Sequence, residues 1–203
     1  MRIGIFGGTF DPIHNAHLFV AESARILERL DRVLFVPTNN HHYRDEPRAD
    51  AAHRCAMILG AIASNAGFAL DDADLRESAT GYTADLLPQL HVKYPRAKLT
   101  FVIGADSLVN TAWMRFDEVL QSLERFVIAP RPGVRADALA RVIAAVPAPL
   151  RERVSTLNLP EIPESATLIR TLISQGRSIR YLVPEPVWHY IVAHRLYGFD
   201  TGG

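Results

Sequence analysis

The 203-residue chain has a single cysteine, no net charge and no long apolar run, and each shortage narrows what it can be. Cys55 has no second thiol to pair with, so the fold is held without an internal disulfide. Lysine plus arginine and aspartate plus glutamate each number 22, which leaves no overall positive field to gather nucleic acid or an anionic membrane. Any anionic ligand has to be bound locally. No apolar stretch nears the ~18 residues of a membrane helix. The opening Met1-Arg2-Ile3-Gly4-Ile5-Phe6 is interrupted at once by Gly7, Gly8, Asp11 and Pro12, unlike a secretory leader. Two common nucleotide fingerprints, Gly-x-Gly-x-x-Gly and the Walker lysine loop, are also missing after this first apolar run. What is present, 48% hydrophobic and 22% charged residues, is the composition of a folded globular chain. The expectation is one domain over residues 1–203, a cytoplasmic enzyme or binding protein with no nucleic-acid or membrane partner; a homo-oligomer is left open.

Short β-branched runs alternate with longer segments of helical period, the pattern of parallel βαβ construction. Strands are expected at 2–6, 33–36, 99–103, 126–129 and 154–157, and helices at 17–30, 50–64, 83–92, 135–146, 166–174 and 184–195. Pro88 sits inside the third helical segment and puts its boundaries in question. Loops are expected at 37–47 and 130–133.

The sharpest local signal is Gly7-Gly8-Thr9-Phe10-Asp11-Pro12-Ile13-His14-Asn15-Ala16-His17, between the first strand and the first helix. Open parallel sheets bind ligands at this end of their strands, glycines let backbone approach a ligand, and a helix starting near Asn15 aims amides and a positive dipole end at an anion. His14 and His17, three apart, share one face of that helix start. Phosphate contact is the favoured reading of the pair; metal ligation and two satisfied structural histidines are the alternatives. A second signal, Ser165-Ala166-Thr167-Leu168-Ile169-Arg170, opens a later helix behind Pro160 and Pro163. Ser165 suits an N-cap, and hydroxyls, amides and a guanidinium converging on one helix start suit phosphate.

The first segment resembles the Gly-x-Phe-x-Pro-x-His-x-Gly-His motif of a nucleotidyltransferase superfamily, with Ala16 in place of glycine. Alanine there is expected to sit in the first helical turn and narrow the phosphate approach. The second segment is similar to that superfamily's Ile-Ser-x-Thr-x-Ile-Arg signature, with Glu164 in place of isoleucine, an acid that repels phosphate unless it points to solvent. Together with Ala51-Ala52-His53-Arg54, Gly81-Tyr82-Thr83, Ile103-Gly104-Ala105-Asp106-Ser107-Leu108, Ala112-Trp113, Ala129-Pro130-Arg131-Pro132-Gly133 and Ile179-Arg180-Tyr181-Leu182-Val183-Pro184, nearly the whole chain resembles the bacterial nicotinate-nucleotide adenylyltransferases.

The resemblance implies a Rossmann-like α/β fold, a parallel sheet flanked by helices with a helical C-terminal region. It further implies adenylyl transfer from ATP to nicotinate mononucleotide in NAD biosynthesis, with Mg²⁺ carried on ATP and no protein metal ligand. His14, His17 and Arg170 would serve catalysis. Gly7, Gly8, Thr9, Phe10, His14, His17, Gly104, Asp106, Ser165, Thr167 and Arg170 would surround ATP, with Asp106 accepting from a ribose in room left by Gly104. Asn39, Arg44, Tyr82, Thr83, Trp113 and Arg131 would serve the mononucleotide, Trp113 by offering a flat face to the pyridine ring. Asp106 read alone is also a helix cap, and Trp113 also core packing. The stretch Asn39-Asn40-His41-His42-Tyr43-Arg44 keeps the family's cation at Arg44 but changes its neighbours, which leaves nicotinamide mononucleotide or another small acceptor, or a non-catalytic nucleotide-binding role, as alternatives.

Overall fold

The computed structural model describes residues 1–38 and 47–199. Within them β1 (Arg2–Gly8), β2 (Arg32–Pro37), β3 (Phe68–Leu70), β4 (Lys98–Gly104), β5 (Arg125–Ala129) and β6 (Val154–Thr156) pair in parallel, in the order β3-β2-β1-β4-β5-β6. This is the doubly wound order, whose switch point lies between β1 and β4 and leaves a crevice at their C-terminal ends. The five strands read from sequence are present within a residue or two. β3 was not legible: three half-buried residues are too few to display a period of two.

Successive strand residues face opposite sides of a sheet, and here both sides are apolar because helices cover both. Ile3, Ile5, Leu34, Val36, Phe101, Phe126 and Ile128 point to one side. There they meet α3 (Thr83–Lys93), α4 (Ala105–Val109), α5 (Phe116–Gln121), α6 (Ala136–Ala145) and α7 (Ala148–Arg151). Phe6, Val33, Phe35, Val102 and Val127 point to the other, under α1 (Asn15–Leu27), α2 (Ala51–Ile62), α8 (Ala166–Ser174), α9 (Glu185–Ala193) and a final turn, Leu196–Gly198. α8 follows the expected boundaries; α4, α5 and α7 are too short to show a helical period.

Pro88 lies within α3 and does not end it. Leu86, Leu87 and Leu90 bury the helix against the sheet, and the Gln89 side chain donates to the Asp85 carbonyl at 3.2 Å, answering one acceptor near the proline. Phe126 lies at 0% exposure in the second core, stacked on Phe101 at 5.7 Å and edge-on to Trp113 at 5.4 Å. Phe126→Ala is expected to cost about 3–5 kcal/mol, read as a lower urea midpoint at unchanged slope.

Candidate active site

The turn between β1 and α1 is built around its own aromatic ring. Phe10 adopts φ 51°, an uncommon left-handed conformation, and its ring is buried edge-on to Phe6 and to His17, at 5.7 and 5.0 Å. A Cβ on Gly8 would lie 3.1 Å from that ring, so this glycine makes room for Phe10 before it makes room for any ligand. Helix α1 then starts at Asn15 with His14 as its N-cap. Ala16 is helical and buried and lines the cleft described below, as expected of a residue in the first turn.

The sequence pattern suggested that this helix start offers unpaired amides, and the structure narrows that offer. Asn15 N–H donates to Leu182 O at 3.0 Å, and His17 N–H donates to His14 O at 3.0 Å. The two imidazoles take over. Their rings stack at 3.6 Å, and His14 N–H donates to His17 Nδ1 at 3.2 Å. An Nδ1 that accepts carries no proton, so neutral His17 holds its hydrogen on Nε2, as a donor. His14 is fully buried, and neither of its ring nitrogens has a hydrogen-bond partner among the described residues. An unpaired polar group in such a place is costly, and ordered water or a ligand atom can satisfy it. Burial, helped by Arg131, pushes the His14 pKa down to about 3. Burial, then His14 and Arg131, hold His17 well below its ordinary value, so both rings are uncharged at neutral pH.

The second motif arrives from the far end of the chain. Ser165 N-caps α8, its Oγ accepting from Leu168 N–H at 3.1 Å. One turn on, Arg170 donates from Nη1 to the Asp11 carbonyl at 2.6 Å and from Nη2 to Thr167 Oγ1 at 3.4 Å. Both motifs therefore line one cleft of about 630 Å³, at the switch point of the sheet. Gly7, Gly8, Thr9, Phe10, His14, His17, Gly104, Asp106, Arg131, Ser165, Thr167 and Arg170 all border it.

Among the described residues the cleft has two carboxylates, and both are already engaged. Asp11 is bound by backbone amides and a tyrosine, and Asp106 lies 3.6 Å from Arg131 Nε. A Cβ on Gly104 would stand 2.5 Å from Asp106 Oδ1, so here the missing side chain makes way for the protein's own carboxylate. Glu164 does not border the cleft; its carbonyl accepts from Arg131, and its Oε2 is closed off from solvent with no hydrogen-bond partner among the described residues. Among the described residues no group of three or more His, Cys, Asp or Glu side chains is placed to hold a metal ion.

Tyr82, Thr83 and Trp113 do not line this cleft. Tyr82 caps α3 and Thr83 begins it, while Trp113 packs on Phe101 and Phe126 and donates to Ser107 O at 3.4 Å, Ser107 being a cleft residue. An Arg115–Asp85 ion pair of 2.5 Å ties the Trp113 segment to the first turn of α3, so these three residues share a side of the molecule next to the cleft. Asn39 and Arg44 lie outside the described residues. Two further cations lie near the cleft among the described residues: Arg48, which the sequence did not point to, and Arg54, which entered only within the Ala51–Arg54 stretch and without a role. Arg48 borders it, and Arg54 lies beneath it, fully buried, donating to the carbonyls of Thr9 (2.7 Å), Thr38 (2.9 Å) and Ala49 (3.2 Å). A cation at 54 in register with apolar Met57, Ile58 and Ile62 was the available clue, since such spacing puts it on the buried helix face.

A doubly wound sheet with an imidazole- and guanidinium-lined cleft at its switch point defines a nucleotide-handling α/β protein. Residues 5–172 match the model of the cytidylyltransferase-like family, and the chain belongs to that family. It is 41% identical over 197 residues to a probable nicotinate-nucleotide adenylyltransferase of Thermomicrobium roseum, covering 97% of this chain and 91% of that one. It is 37% identical over 198 residues to the protein of the same name from Symbiobacterium thermophilum, covering 97% and 95%. In fold it is similar to the Plasmodium falciparum nicotinic acid mononucleotide adenylyltransferase complexed with NaAD. That match has a TM-score of 0.78 at 20% identity and covers 99% of both chains.

Because His14 stays neutral in the fold but protonates near pH 6.5 when unfolded, the unfolded state binds more protons in acid. Stability is then expected to fall by up to about 1.4 kcal/mol per pH unit from pH 6.5 down to pH 3 through this residue alone. Urea unfolding at several pH values checks this, with His14→Gln flattening the slope.

Proposed function

We propose that the chain transfers the adenylyl group of ATP to nicotinate mononucleotide, forming nicotinate adenine dinucleotide and pyrophosphate, a step of NAD biosynthesis. The observation that carries this reading is the meeting of two distant motifs at one cleft, joined by the Arg170–Asp11 hydrogen bond. An oxygen of the mononucleotide phosphate attacks the α-phosphorus. The bond from that phosphorus to the oxygen bridging to the β-phosphate breaks, and pyrophosphate leaves with the electron pair. A phosphate monoester has its second pKa near ~6, so the nucleophile is already ionised and needs no general base.

Alignment and charge neutralisation remain, and well-oriented reactants can be worth ~7–11 kcal/mol. His17, with Nδ1 occupied by the helix cap, presents Nε2–H to the α-phosphate as a neutral donor. His14 satisfies its orphaned nitrogens on phosphate or on the water around it. Ser165, Thr167 and Arg170 hold the outer phosphates, and Gly7, Gly8, Thr9 and Phe10 shape the floor beneath them. Asp106 turns to a ribose hydroxyl, releasing Arg131 toward phosphate. Mg²⁺ enters as part of the MgATP substrate. Tyr82, Thr83 and Trp113, held together beside the cleft, receive the nicotinate end, with Asn39 and Arg44 on the mononucleotide as well. The reaction belongs in the cytoplasm; among the described residues no helix is long and apolar enough to cross a membrane.

Incubation with MgATP and nicotinate mononucleotide is expected to release pyrophosphate, with a kcat/KM above that for nicotinamide mononucleotide. Absence of release at saturation would reject the reading, and a preference for the amide would reassign the acceptor. His17→Ala is expected to lower kcat about 10²–10³-fold with the fold retained. His17→Gln, whose amide can stand in for Nε2–H, should keep more activity. Trp113→Ala should raise the mononucleotide KM more than the ATP KM.

A further inference from the structure

Asp11 belongs to the first motif and borders the cleft, yet both oxygens of its carboxylate are taken up by the protein. It is 4% exposed, and every bond it accepts comes from the protein: Arg48 N–H to Oδ2 at 2.8 Å, Ala49 N–H to Oδ1 at 3.1 Å and the Tyr197 hydroxyl to Oδ1 at 2.8 Å. The Ala49 peptide is held from its other end as well, since its carbonyl accepts from buried Arg54. With both oxygens engaged, the Asp11 side chain has one orientation, and its backbone carbonyl is fixed with it. That carbonyl receives Arg170 Nη1 at 2.6 Å, while Asp11 Oδ2 stands 3.9 Å from the same nitrogen.

Tyr197 reaches this point at a conformational cost. It and Arg195 adopt φ of 61° and 50°, left-handed conformations that non-glycine residues rarely hold unless their surroundings impose them. Burial, then Asp11, raise the pKa of the Tyr197 phenol far above neutral, which keeps it a donor.

We infer that Asp11 and Tyr197 are positioning residues for nucleotide binding: the terminal turn fixes the Asp11 carboxylate, and Asp11 in turn aims the Arg170 guanidinium at the outer phosphates. The inference rests on the reading of the cleft as an ATP site. It gives Asp11 a role through Arg170 rather than through direct contact with the nucleotide, and it makes a residue 186 positions away part of the triphosphate grip.

The test is Tyr197→Phe, which deletes one hydroxyl and keeps the ring. Calorimetry with a non-hydrolysable ATP analogue plus Mg²⁺, and separately with AMP, reads the effect. The analogue is expected to bind about five- to twentyfold more weakly, while AMP, which lacks the outer phosphates, changes by less than about twofold. In the Tyr197→Phe/Arg170→Lys double variant, analogue affinity should be no lower than in Arg170→Lys alone, because the deleted hydroxyl acts through that guanidinium.

An unchanged analogue affinity, an equal loss for AMP, or losses that multiply in the double variant would each overturn the inference and leave Tyr197 a structural residue. If Tyr197→Phe fails to fold, Asp11→Asn, close in shape, is held to the same three readouts. Wild-type protein that binds the analogue but makes no dinucleotide would reject the proposed reaction while leaving this inference open to the same comparison. Wild-type protein that binds no analogue would overturn both.

Discussion

The hydrogen bond from Arg170 to the Asp11 carbonyl joins residues 159 positions apart, and the organisation of the cleft depends on it. A parallel sheet delivers β1 and β4 side by side but says nothing about how a C-terminal helix should approach them. α8 is brought down by Ile169, Leu172 and Ile173, buried in the core over one face of the sheet. Apolar burial of that kind is non-directional and fixes only which side of the helix points inward. The guanidinium on the Asp11 carbonyl supplies the direction, setting the start of α8, with Ser165 and Thr167, opposite the glycines at the end of β1.

Electrostatically the cleft is arranged by subtraction. The chain has no net charge, and the imidazoles that dominate the first motif are kept neutral by burial and by nearby Arg131. Positive charge comes from guanidiniums, which do not deprotonate at any relevant pH. Of these, Arg131 is balanced by Asp106 at 3.6 Å, while Arg54 is sunk beneath the floor on three carbonyls. A charge held on backbone dipoles in a medium of low permittivity is weakly screened, and the nearby Asp11 carboxylate offsets that of Arg54.

Much of this was legible in the residues. Strand positions followed from β-branched runs buried on both faces, and α8 from its capping serine and apolar spacing. Both motifs announced their chemistry through residue types that serve phosphate. Harder to read was which member of a motif does what. Gly8 and Gly104 looked like space for a ligand, and each turns out to clear space for a neighbour, Phe10 or the Asp106 carboxylate. Asp11 stood in the first motif without a role of its own and is a hub whose partners at 48, 49 and 197 no local pattern connects. Trp113 was open to two readings, a flat face for a ring or core packing, and it packs against Phe101 and Phe126. Spacing along a chain reports periodic structure well; it carries no information about side chains that meet across a sheet.

The sheet's two margins, β3 and β6, are each three residues long. A foreign strand seeking to extend the sheet would find at either border only a few unpaired amides and carbonyls, too short a template to hold it. The long strands β1 and β4, which would make the most adhesive borders, are the innermost pair. The same ordering that opens a crevice for a nucleotide thus also guards the protein against stacking edge to edge with its own kind.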